Sequence, residues 1–93
     1  MADGRKAAPI EALRTAIENR EEASTILRLA LRVTALLPDR WLAAMMTDNF
    51  TDAVEAWVDA RGIPGTEYMM AAQLHHLADE FAVEFKRHGI ADE

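Results

Sequence analysis

Residues 9–36 read PIEALRTAIENREEASTILRLALRVTAL, and the division of this stretch decides the fold. Arg14, Glu18, Glu21, Thr25, Arg28 and Arg32 form a polar line whose steps alternate between four and three. That is the helical period, and it holds across Glu21-Glu22 only if the chain stays helical there. The spacing therefore predicts one long helix over 9–36. Pro9 suits its first position, where a missing N–H is not needed, and Glu11 suits the positive end of the dipole. Ile10, Leu13 and Ile17 form a narrow apolar stripe, whereas Ile26, Leu27, Leu29, Leu31, Val33, Leu36 and Leu37 cover most of the circumference. A helix apolar nearly all round is expected to be central. The apolar arc rotates between Asn19 and Ser24, so a break, if there is one, falls there.

Working outward, Pro38 stops the helix because the residue before proline is pushed from the α region. A short helix over 39–46 then presents Trp41, Leu42, Met45 and Met46. Thr47-Asp48-Asn49 is rich in capping side chains and marks the start of a third helix over 49–61, with Phe50, Val54 and Trp57 on one face. Gly62 suits a left-handed cap, and Ile63-Pro64-Gly65 reads as a turn. Thr66 caps a last helix over 67–88, lined inside by Met70, Leu74, Leu77, Phe81 and Phe85. Gly89-Ile90 fits its C-terminal cap. With no strand-like alternation and no internal repeat, the expected fold is all-α: a small bundle of about four helices, the first and last longest. The expected organisation is a flexible arm at 1–8, one helical domain at 9–90 and a disordered tail at 91–93.

Composition narrows the function classes. The chain has 93 residues, no cysteine and a formal charge of −6, which excludes disulfides, thiolate metal sites and cysteine nucleophiles. Residues 1–46 carry a net +1 and residues 47–93 a net −7. An acidic half repels phosphate backbones, so no direct nucleic-acid binding is expected. No secretory signal or membrane span is read, and the expected compartment is cytoplasmic. There is no G-x-S-x-G, phosphate-binding glycine loop or H-E-x-x-H, and the only serine is Ser24.

Four carboxylates form the most organised feature. Asp48, Asp52, Glu55 and Asp59, at steps of four, three and four, share one edge of a helix with no Lys or Arg among them. Charge runs usually mean only a solvated face. The functional alternative is a docking edge for a basic protein surface, such as one that normally holds nucleic-acid phosphates. A second constellation, His75, His76, Asp79 and Glu80, offers two His–carboxylate pairs four apart. Each pair could supply two ligands to a zinc-like metal, but a stable site wants three or four, so surface ion pairing is the better reading and no cofactor is expected. Glu18 and Glu21 form an E-x-x-E of the kind that holds magnesium in all-α nucleotide pyrophosphohydrolases. The likeness stops at those two residues, since Glu55 and Asp59 are one residue too far apart for the second motif. Of the paired methionines, Met46 and Met70 are expected in the core; core filling is the favoured reading throughout, and the alternative is that Met45 or Met69, on the margins of their helices, reaches a partner or a second protomer.

The expected function is a non-enzymatic interaction module, an acidic adaptor or inhibitor working as a homodimer. Small acidic inhibitors from phages and mobile elements, including anti-CRISPR and anti-restriction proteins, share this general profile. The other expectations to be weighed are a metal-dependent helical enzyme or sensor, and a structural subunit of a larger complex.

Overall fold

A computed structural model describes residues 8–91. The described residues form four α-helices and no strand: α1 (Pro9–Glu18), α2 (Ala23–Thr34), α3 (Arg40–Asp59) and α4 (Pro64–Arg87). The all-α bundle expected from periodicity is thus the fold. Most of the arm expected at 1–8, and residues 92–93 of the expected tail, lie outside the described residues.

The helix expected over 9–36 is two helices. Arg20 takes a left-handed conformation at φ 54°. The Glu21 N–H then reaches the Ala16 carbonyl at 3.0 Å, and the Arg20 N–H reaches Ile17 at 3.1 Å. This pair of bonds is a Schellman cap, built here on arginine where glycine is usual. The phase of the buried residues explains the break. Ile10, Leu13 and Ile17 are buried on α1, and Ile26, Ala30 and Val33 on α2. Ile26 follows Ile17 by nine residues, about 900° at ~100° per residue. A continuous helix would therefore turn the two sets to opposite sides. Nor is α2 central. It buries one face and leaves Leu31 53% exposed, and Leu36, two residues beyond its end, is 48% exposed.

The helices expected at 39–46 and 49–61 are one. Asp39 caps α3, its carboxylate accepting from the Trp41 N–H at 2.9 Å and the Leu42 N–H at 3.1 Å. The helix then passes straight through Thr47-Asp48-Asn49, because Met46, Phe50, Val54 and Trp57 are all buried on one continuous face. The cap-forming side chain is used elsewhere. The Thr47 hydroxyl donates to Oγ1 of buried Thr34 on α2 at 3.0 Å, and Thr34 donates to the Leu31 carbonyl at 3.3 Å. The last helix starts at Pro64 rather than after Thr66, with proline in its first turn. The two longest helices are consequently α3 and α4, with 20 and 24 residues.

Each helix packs chiefly on two neighbours, closing the ring α1–α2–α3–α4. The helices α1 and α4 run antiparallel, bridged by the ion pairs Arg14–Asp79 at 2.8 Å and Arg20–Glu67 at 3.5 Å. One apolar core joins Leu13, Ile26, Phe50, Trp57, Leu74, Phe81 and Phe85 with their neighbours. Phe50 and Phe81 meet across α3 and α4 with ring centroids 5.6 Å apart, inside the range of favourable aromatic pairs. Gly89, at φ 70°, completes the expected cap of α4, with the Ile90 N–H on the Phe85 carbonyl at 2.8 Å. Among the described residues no helix is long and apolar enough to cross a membrane.

Candidate functional site: the outer face of the third helix

Burying Phe50, Val54 and Trp57 fixes the rotation of α3, and that rotation sends Asp48, Asp52, Glu55 and Asp59 outward. All four carboxylates are on exposed residues. None takes part in an ion pair formed among the described residues. The nearest basic residue in sequence, Arg61, is engaged elsewhere: its guanidinium lies over the Trp57 ring, 4.6 Å from the centroid. Eleven residues separate the first carboxylate from the last, so the row is roughly 16 Å long at ~1.5 Å per residue. Like charges one turn apart cost a few tenths of a kcal/mol per pair.

Beside the row runs a groove between α3 and α4, about 480 Å³ in volume. Asn49 and Asp52 form its α3 wall, Gln73, His76 and Glu80 its α4 wall, and Ala53 and Ala56 are among its small side chains. The structure therefore places one member of the acidic row and one of the two His–carboxylate pairs on the same groove. His76 Nε2 lies 3.2 Å from the Glu80 carboxylate, as its spacing implied. The other pair is not made. Asp79 turns to Arg14 of α1 instead, and His75 lines a second groove with Glu18, Arg20 and Tyr68. His88 lies 3.6 Å from Glu84.

His76 and Asp79 also line that second groove, so the adjacent histidines share it, and only His76 reaches the groove beside α3 as well. Among the described residues no group of three His, Asp or Glu side chains is placed to hold a metal ion. The E-x-x-E reading also changes. Glu18 ends α1, whereas Glu21 lies beyond left-handed Arg20, so the two do not share a helix face.

Sequence reasoning left Met45 as one of two candidates for a partner surface and joined neither it nor Trp41 to the acidic row. Trp41 is 80% exposed and Met45 55% exposed. Assigned to a separate short helix, they had no fixed rotation relative to Asp48. Met69 is exposed as well, while Met46 is buried and Met70 packs half-buried against the core. No protein-family model, curated protein or solved structure matches this chain.

Proposed function

We propose that the chain is a non-enzymatic, cytoplasmic docking module that binds a basic protein surface through the outer face of α3. It would act as an adaptor, or as an inhibitor of a partner that otherwise holds nucleic-acid phosphates, in the manner of anti-CRISPR and anti-restriction proteins. One observation carries this reading: four exposed carboxylates in a single row, none neutralised by a neighbour among the described residues. Aligning like charges costs helix stability a few tenths of a kcal/mol per pair, a cost that charges scattered over a merely solvated surface would not carry. A fold that recruits a basic partner gains steering and orientation from the aligned charges.

The test is affinity capture from host lysate with the native protein and with a variant carrying Asp48→Asn, Asp52→Asn, Glu55→Gln and Asp59→Asn. The native protein should enrich a basic partner that the variant loses, and the variant should melt at the native temperature or slightly above it. A partner retained by the variant would remove the acidic row from the mechanism.

A further inference from the structure

The outward row on α3 does not begin at Asp48. With the helix continuous through Thr47-Asp48-Asn49, Trp41 and Met45 stand on the same side, one and two turns earlier. Trp41, Met45, Asp48, Asp52, Glu55 and Asp59 follow one another at steps of four, three, four, three and four. Eighteen residues separate the ends, roughly 27 Å at ~1.5 Å per residue. This is the rhythm of the a/d seam by which two helices pair in a coiled coil. Met45 and Asp52 border the grooves toward α4, and among the described residues no helix covers the seam. Its first two positions are apolar and exposed, and its last four are acidic and exposed.

We propose that this seam takes a basic amphipathic helix of a partner protein, lying along α3. The partner helix would set apolar side chains against Trp41 and Met45, and Lys or Arg against the four carboxylates. This builds on the basic-partner reading above and goes beyond it by fixing the partner's shape, its register and its anchor. Charge decides among the occupants. A second copy of α3 would bring acid against acid, parallel along the whole row or antiparallel at Asp48 and Asp52. Anionic lipid and nucleic acid are repelled by the same four groups. The two ends divide the work. Exposed carboxylates are screened within about 8 Å at physiological salt, so they set approach and register. A desolvated tryptophan covers about 150–250 Å² and is among the residue types enriched as affinity anchors, so Trp41 holds the complex.

The probes are helical peptides of about three heptads. Two carry a pair of Leu at one end of the seam and Lys at the remaining seam positions, with the Leu pair at either terminus. A third has the same composition with its Lys distributed around the helix. Tryptophan emission reads the contact directly, because Trp57 is already buried and only Trp41 has water to lose. One seam peptide should move the emission to the blue and bind at least about tenfold tighter than the shuffled peptide. Trp41→Ala should weaken that binding at least about tenfold with helicity unchanged, an effect typical of an interface anchor. Equal binding of seam and shuffled peptides, or unmoved emission on binding, would overturn the seam and leave the acidic docking reading standing. If no basic peptide binds the native protein, both fall.

Discussion

Residues 19–22 and 47–49 look alike as polar interruptions, yet the chain treats them in opposite ways. Asn19-Arg20-Glu21-Glu22 contains neither glycine nor proline, and the helix breaks there. Thr47-Asp48-Asn49 offers three good capping residues, and the helix runs through them. The phase of the buried residues on either side separates the two cases. Across 47–49, the steps from Met46 to Phe50 to Val54 to Trp57 are four, four and three, so an unbroken helix keeps every one in the core. Across 19–22, an unbroken helix would place Ile26, Ala30 and Val33 about half a turn from Ile10, Leu13 and Ile17.

The magnitudes favour the break. A left-handed non-glycine residue costs about 1–2 kcal/mol, whereas burying an Ile or Val is worth about 1.5–3 kcal/mol each. Restoring the phase of Ile26 and Val33 outweighs the strain at Arg20. Local capping preference, worth about 1 kcal/mol, is likewise outweighed at 47–49 by the burial of Phe50, Val54 and Trp57.

Prolines placed in the two regions break the symmetry most sharply. Asn49→Pro lies inside α3, removes a ladder hydrogen bond and clashes with the preceding turn, for an expected loss of about 3 kcal/mol or more. Glu22 already has φ −61°, and its N–H is not among the donors of the linker. Glu22→Pro should therefore leave stability unchanged or raise it by about 0.4–1 kcal/mol. Urea unfolding of both variants measures the difference. If Glu22→Pro proved the more damaging, the break would be misplaced.

A smaller effect separates the two Schellman caps, Arg20 after α1 and Gly89 after α4. Arg20→Gly relieves the left-handed strain and gives up glycine's extra chain entropy, a net gain of about 0.5–1 kcal/mol. It also loses the Arg20–Glu67 pair, whose arginine is 72% exposed and adds little. Gly89→Ala should cost about 1 kcal/mol, because an added Cβ meets no neighbour and only its φ of 70° resists. Thermal melts that moved both variants in the same direction would refute this account of the caps.

Much of the fold was legible in the sequence. The faces of Phe50, Val54 and Trp57, and of Leu74, Leu77, Phe81 and Phe85, are buried as their spacing implied. The expected number of helices survived two opposite boundary errors, since one helix was split and two were joined. Both errors came from weighing polar lines and capping residues above the phase of the large apolar ones. The acidic row was legible because its spacing lies within a single helix. Trp41 and Met45 were not connected to it, because a presumed break erased their phase. Asp79 was assigned to His75 on local spacing, but its partner Arg14 lies 65 residues away, beyond the reach of any helical rule.

Continuity of α3 through Thr47-Asp48-Asn49 supports both the acidic docking face and the seam that extends it to Trp41. Backbone carbon chemical shifts measured in solution test that continuity residue by residue. Unbroken helical shifts from Arg40 to Asp59, with a departure from helical values at Arg20, are the expected result. Helical shifts running on through Arg20, or lost between Thr47 and Asn49, would contradict it and divide the docking face in two.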